Sequence, residues 1–302
     1  MTQPQLVEPG GRQGPGQMPQ GLVEALDLVV ARRVGGVMPG DRLGSGVGSG
    51  TEIAQLRPYE VGDDVRQIDA AATARTGEPH VRVHVPERTL TTWIVVDVSP
   101  SMAFGTAERL KSDVAEGVAQ VIGRLAVRRA GRVALMTCGA ARPRLMPPRA
   151  ARPGLVALGR ALAEGVVPDG AADPAALSTA LVRLAKVAKQ AGLVVIVSDF
   201  RDQNDWTRAL GALSARHSVL AVEVRDPRES ELPNAGQLAL VDPESGELIQ
   251  VDTSRRRVRE RFAELEAADR ARVARELRRL RVEHVVVTTE GDWLRQLGRK
   301  LK

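Results

Sequence analysis

Two apolar runs in this sequence end in an aspartate. The segment "WIVVDVSPSMAFG", residues 93–105, delivers Asp97 followed by Ser99 and Ser101 at alternate positions, and "VVIVSDF", residues 194–200, delivers Asp199. A carboxylate with two nearby hydroxyls, joined by a second carboxylate, is a hard-oxygen donor set suited to Mg2+, Mn2+ or Ca2+, with waters filling the remaining positions. Two other readings use the same residues. The loop is then either a metal-free recognition surface or a plain strand end, with Ser99 and Ser101 capping a following helix and Asp199 supplying loop polarity.

The elements around these loops decide whether they meet. From Thr92 the chain alternates strands and helices: "TWIVVDV", a helix over about 107–129, "RVALMTCG", "RPRLMPP", two helices ending near Gln190, "GLVVIVSDF", a helix, and "SVLAVEV". Near-continuous Val, Ile and Leu strands of this kind are buried on both faces. Their alternation with helices implies an α/β fold with a doubly wound, mainly parallel, Rossmann-like sheet over 91–302. Ligands of such sheets sit beyond the carboxyl ends of the strands, which puts the Asp97 loop and Asp199 on one edge. Further on, "QLALVDPESGELIQVDT" reads as a hairpin around "DPESGE". Ser254 reads as the N-cap of an amphipathic helix over 254–281, with Val258, Phe262, Leu265, Val273, Leu277 and Leu280 as its apolar seam. The strand "HVVVTT" and a last helix from about Asp292 return the chain to the sheet.

Residues 1–20, rich in Gly, Pro and Gln, read as a disordered tail. Residues 21–90 read as a short helix through "LVEALDLVVARRV" followed by a β-rich addition, in which "HVRVHV" alternates like a half-buried strand.

Composition excludes several classes. Aromatics are 2% of the chain, too few for the stacking platforms of single-strand nucleic-acid binding. The one cysteine, Cys138, cannot form an intrachain disulfide and reads as a buried, inert thiol of a reducing compartment. No apolar run is long enough to span a membrane, so a cytoplasmic protein is expected. The net charge of +6 is accounted for by residues 254–281, where eleven Arg face five acids. That segment keeps open a regulatory or nucleic-acid-binding function, although its interleaved acids permit pairs such as Glu266 with Arg270 on a solvated helix face. Enzyme signatures fail one by one. Ser99 stands where a haloacid-dehalogenase-type phosphatase needs a second Asp, and "GSGVGSGTE" has no P-loop lysine. There is no Gly-x-Ser-x-Gly elbow, and His80, His84, His217 and His284 are dispersed. A non-enzymatic protein is expected.

The Asp-x-Ser-x-Ser pattern with a later strand-end Asp resembles the metal-ion-dependent adhesion site of von Willebrand factor A domains. Together with the upstream run "YEVGDDVRQIDAAATART", the stretch "DVSPSMAFG" resembles the bacterial family labelled domain of unknown function 58, in which such a domain is embedded. The likeness runs from about Arg42 to the C-terminus. It implies a first metal loop of Asp97, Ser99 and Ser101, a distal carboxylate Asp199, a divalent cation such as Mg2+, and a protein partner among the MoxR-type AAA+ ATPases in a chaperone-like or assembly role. Two positions depart from the family. Ala175 in "AALSTAL" stands where a threonine ligand is expected, with Thr179 about a turn further into the helix, and Ala70 replaces the usual Trp after "ID". The site is therefore expected to be degenerate. The charged run holding Arg57, Tyr59, Asp63, Asp64, Arg66, Asp69 and Arg75 reads either as a partner-binding surface or as charge-paired loop packing.

Overall fold

In the computed structural model, residues 52–85 and 90–300 are described, apart from 107, 169, 171, 172, 174, 203 and 204. The expected tail over 1–20 and the helix through "LVEALDLVVARRV" lie outside the described residues. The chain divides into two units, one covering Gly40–Thr89 and the other holding Leu90–Lys302.

The larger unit is organised by strand β3 (Thr91–Asp97), buried along its whole length. Its alternate residues serve two cores, as the period-2 geometry of a strand requires. Ile94 and Val96 face one cluster with Val118, Ile122, Leu158 and Leu297, while Trp93 and Val95 face another with Leu181, Leu184, Leu210 and Leu277. The first cluster is covered by helices α2 (Lys111–Arg128), α3 (Ala151–Leu162) and α7 (Trp293–Lys300); the second by α4 (Ala176–Val187), α5 (Thr207–Ser214) and α6 (Arg256–Arg279). A sheet covered on both faces is what the unbroken apolar strands predict.

The other strands of this sheet are β4 (Arg132–Cys138), β5 (Leu145–Ala150), β6 (Leu193–Ser198), β7 (Ser218–Arg225) and β10 (Glu283–Thr288). Their spatial order is β10-β7-β6-β3-β4-β5, parallel throughout except for β5, which runs antiparallel to β4 at one edge. After β3 the chain moves one way to β4 and β5, then returns to lay β6, β7 and β10 on the other side. The reversal falls between β3 and β6, and at such a switch point the following loops diverge and leave a crevice. Asp97 and Asp199 stand on its two sides.

The expected hairpin is present as β8 (Gln237–Val241) and β9 (Leu248–Asp252), a separate two-stranded sheet. Helix α2 starts at Lys111 rather than near 107, and Asp226 ties the chain ahead of it at Thr106. The Asp226 carboxylate accepts from the Thr106 N–H at 2.8 Å and its hydroxyl at 2.6 Å. Helix α6 starts after Arg255, not after a Ser254 cap. Asp252 captures both the Ser254 N–H and its hydroxyl, at 3.1 and 2.5 Å, holding that serine in the turn before the helix. Within α6, Val273 and Leu277 are buried, but Leu265, expected in the seam, is exposed.

The smaller unit contains β1 (Glu52–Pro58) paired antiparallel with β2 (His80–Val85), and between them helix α1 (Ala70–Thr76). Sequence patterning suggests extended pieces here, since only Ala72 of α1 is buried and no apolar period betrays a helix. Capping creates it. Asp69 accepts the Ala72 N–H at 2.7 Å, and Gly77 closes the far end at φ +77°, a left-handed turn natural to glycine.

Candidate functional site

Asp97 is the last residue of β3, and the chain then turns sharply through Val98 to Ser99. The turn is set by the Asp97 carboxylate, whose Oδ1 accepts the Ser99 N–H at 2.9 Å. It is backed by Gly139, just past β4 at φ +101°, where a Cβ would lie only 2.2 Å from the Ser99 nitrogen. Only glycine fits there. A short 3-10 turn, Pro100–Ala103, follows and brings the Ser101 hydroxyl within 3.1 Å of the Ser99 hydroxyl. Neither serine caps the long helix, which begins ten residues after Ser101 at Lys111. The plain capping reading therefore fails for both.

The other wall comes from the end of β6. Ser198 ties the two strand ends: its hydroxyl donates to Asp97 Oδ2 at 2.5 Å and accepts the Phe200 N–H at 2.9 Å. Phe200 takes φ +56°, unusual for a bulky side chain, and its buried ring is held edge-on to Trp206 with centroids 5.4 Å apart. Packing thus enforces a sharp turn directly after Asp199. Asp97, Ser99, Ser101 and Asp199 all line one cavity of about 330 Å³.

The two aspartates sit in different electrostatic settings. Burial, reinforced by the negative charge of Asp199, pushes the Asp97 carboxyl up to about 7. No cation bonds it. For Asp199 burial acts the same way, yet the ammonium of Lys111 outweighs it and holds the carboxyl below its ordinary range. Lys111 Nζ lies 2.7 Å from Asp199 Oδ2 and 2.5 Å from Glu229 Oε1, and its side chain is fully buried. Behind this pair runs an ionic network. Arg201 grips Glu266 with two bonds of 3.1 and 2.9 Å, and Arg270 donates to the Asp199 carbonyl at 3.1 Å and to Glu223 at 2.9 Å.

A hard cation fits the Asp97 side of this cavity on chemical grounds. The Asp97 carboxyl has no cation partner among the described residues and two hydroxyls stand beside it, whereas the further acids of the wall, Asp173 and Glu244 among them, form no group of three that could hold a metal ion among the described residues. The expected threonine position departs as anticipated. Ala175 precedes α4 without a side-chain cap, Thr179 is exposed, and the oxygen in this part of the wall belongs to Asp173, whose Oδ1 accepts the Ala175 N–H at 2.9 Å.

The family described as Protein of unknown function DUF58 matches residues 55–272. The chain belongs to this family. It is 40% identical over 281 residues to the uncharacterized protein Rv1480 of Mycobacterium tuberculosis, covering 92% of this chain and 87% of that one, and equally to Mb1516 of Mycobacterium bovis. Among solved structures, it is similar to BatB from Bacteroides thetaiotaomicron (14% identity, 70% of this chain and 97% of that one, TM-score 0.44). It is also similar to a von Willebrand factor type A protein from Catenulispora acidiphila (11% identity, 72% and 44%, TM-score 0.41).

The charged run of this DUF58 protein has local duties in the smaller unit. Arg57 pairs with Asp63 through two bonds of 2.8 and 2.7 Å, Asp64 accepts the Arg66 N–H at 3.0 Å, and Asp69 both caps α1 and accepts from Arg82 at 2.6 Å. The Tyr59 N–H bonds the Pro79 carbonyl at 2.8 Å, and Arg75 sits in the last turn of α1. Charge pairing within the unit engages Arg57, Asp63 and Asp69, and Asp64 caps the short turn after it. The Arg-rich helix behaves similarly: Arg256 pairs with Glu260 at 2.7 Å, Arg272 with Asp269 at 2.8 Å and Arg279 with Glu276 at 2.8 Å. The expected Glu266–Arg270 pair is long at 3.9 Å, because Glu266 is taken by Arg201 and Arg270 turns inward to Glu223.

Sequence reasoning missed Lys111, Glu229, Arg201 and Glu244 as parts of this site. Only Lys111 carried a signal. A lysine in the first turn of a helix opposes the helix dipole, and that is a reason to look for an anion beside it. The other three depend on loops whose paths the sequence does not dictate. Cys138 is buried at the end of β4, where desolvation pushes its thiol well up, consistent with an inert residue. Among the described residues no helix is long and apolar enough to cross a membrane.

Proposed function

We propose that this DUF58 protein is a non-enzymatic protein-interaction module whose contact point is the cavity at the β3/β6 switch point. The observation that carries the reading is the convergence of Asp97, Ser99 and Ser101 on that cavity, with the Asp97 carboxylate buried and uncompensated. Asp97, Ser99 and Ser101 would hold a divalent cation of the Mg2+ type, which supplies, when bound, a positive coordination position for a carboxylate of the partner. Asp199 is turned toward Lys111 and serves to position the opposite wall.

The non-enzymatic reading is supported by how the candidate nucleophiles are engaged. The Ser99 and Ser101 hydroxyls bond each other, Ser198 is spent on Asp97, and the Lys111 ammonium is paired with two acids. For the partner we infer, from the family resemblance alone, a MoxR-type AAA+ ATPase in a chaperone-like or assembly role. A nucleic-acid function through α6 gains no support from the structure, since several of its arginines are paired within the chain.

Two measurements test the reading. Calorimetric titration of the full chain with Mg2+ should show saturable binding that Asp97→Asn weakens by more than about tenfold, since even outer-shell changes at metal sites cost about that much. A purified MoxR-type ATPase from the same organism should be retained on the immobilised chain in Mg2+ and released by EDTA. Equal Mg2+ binding by the variant would refute the metal loop, and EDTA-insensitive retention would refute the coupling of metal to partner.

A further inference from the structure

The β8–β9 hairpin is largely exposed; among the described residues its stem is closed by Thr253 and its tip is bonded to Gly170 and Ser101. Most of its strand residues are exposed or half-exposed, Leu248 and Ile249 among the former, so apolar burial does little to hold it down. At its base the buried Thr253 donates its N–H and hydroxyl to the Gly236 carbonyl at 2.7 and 2.8 Å. At its tip the Pro243 carbonyl accepts the Gly170 N–H at 2.9 Å, and Glu244 Oε1 accepts the Ser101 N–H at 3.1 Å. The tip is shaped for this second contact. Asp242 accepts the Glu244 N–H at 3.0 Å and the Ser245 hydroxyl at 2.7 Å, and the left-handed Gly246 completes the turn that directs Glu244 inward.

Glu244 therefore brings a carboxylate, from 143 residues away in sequence, onto the backbone of a proposed metal-loop residue. It does so in a wall already carrying Asp97, Asp173, Asp199, Asp202 and Asp242, where another negative charge is electrostatically unfavourable. Packing does not explain it, because the side chain is only half-buried and the hairpin makes little apolar contact. We propose that Glu244 is a tethered internal competitor: its carboxylate, held on the Ser101 N–H, takes up the space beside the Ser99–Ser101 loop through which a partner's carboxylate must reach the cation position, and this side chain has to leave before the partner can seat. The proposal rests on the reading of this cavity as a carboxylate-capturing site and adds the means by which it is kept closed. A partner meets only the open fraction, so its apparent affinity is reduced by that fraction. A single hydrogen bond to a charged acceptor holds the competing state to about tenfold.

The test uses the full chain and Glu244→Ala, a change at a half-buried turn residue that belongs to neither core. Amide hydrogen exchange resolved at Ser101 should accelerate in the variant while β3 amides keep their rates. Acetate, as a free carboxylate probe, should restore protection at Ser101 saturably in the variant and leave the wild-type chain unchanged. Binding of the MoxR-type ATPase should tighten about tenfold. Unchanged Ser101 exchange, failure of acetate to refill the position, or unchanged or weaker binding of an ATPase that the wild type does bind each overturns the proposal. If neither chain binds the ATPase while acetate discriminates between them, the internal competitor stands and the partner assignment falls.

Discussion

Lys111→Met removes the only ammonium paired with Asp199 among the described residues and keeps most of the aliphatic stem's volume. In the native chain the Lys111 side chain is 0% exposed and Asp199 2% exposed, so their attraction acts with little screening by water. Without the ammonium, Asp199 retains the Arg201 N–H at 3.2 Å and a guanidinium nitrogen at 3.9 Å, while Glu229, 10% exposed, loses its 2.5 Å partner. Breaking a buried pair by deleting one member costs about 3–5 kcal/mol, because an uncompensated charge is left behind. Against a total stability of about 5–15 kcal/mol for a folded domain, that is a large fraction. Urea unfolding followed by tryptophan fluorescence is the suitable assay, since Trp93, Trp206 and Trp293 are the chain's three tryptophans and all are buried in the larger unit. The decisive variant is the double, Lys111→Met with Asp199→Asn, which removes both charges. It should be less destabilised than the sum of the singles by about 1–3 kcal/mol, the coupling expected of groups in direct contact. A loss below about 1 kcal/mol for Lys111→Met, or strict additivity in the double, would refute the buried-pair account.

Gly139→Ala should disturb the site without removing any of its side-chain oxygens: the new Cβ would meet the Ser99 nitrogen at 2.2 Å, so the loop must shift. A loss of about 2 kcal/mol and weaker Mg2+ binding are expected by thermal unfolding and calorimetry, and unchanged values in both would show that the loop tolerates the displacement. Glu223, fully buried, is opposed by burial but held down to about 2, from an ordinary 4.5, by His284, Arg225 and Arg270. Since the folded value is the lower one, its contribution is present above pH 4.5 and is lost as pH falls from 4.5 toward 2, by about 3 kcal/mol in all. Glu223→Gln should flatten the acid limb of the stability curve in that window, and an unaltered limb would contradict the assignment.

The doubly wound sheet was legible because its central strands β3 and β6 are buried over their full length and apolar on both faces, a pattern with few alternatives. The place of Asp97 and Asp199 followed from the same observation, since strand-end residues of such a sheet have nowhere else to go. Elements set by capping alone were harder to see. Helix α1 rests on Asp69 and Gly77 rather than on an apolar face, and Ser254 lost its expected role because Asp252, two residues earlier, competes for it. Long-range polar partners were not legible at all. Nothing in "ERLKSDV" states that Lys111 meets an aspartate 88 residues later, and nothing in "DPESGE" aims Glu244 at Ser101.

The inequality of the two aspartates bears on the missing threonine. Had both carboxylates been left uncompensated, the donor set would span the crevice and each lost oxygen would weaken a cation's hold alike. Instead Lys111 compensates Asp199, and the carboxyl left without a cation partner among the described residues is Asp97, beside Ser99 and Ser101. Next to Ala175, Asp173 supplies an oxygen of the cavity wall and accepts the Ala175 N–H at 2.9 Å. A degenerate threonine position is thus compatible with a functional loop, because the part of the site with a residual demand for positive charge is the part whose three oxygens are all present. The same asymmetry explains why an internal carboxylate would act on the Ser99–Ser101 side. A competitor seated near Asp199 would leave the Ser99–Ser101 loop open, whereas Glu244 is bonded to that loop through the Ser101 N–H.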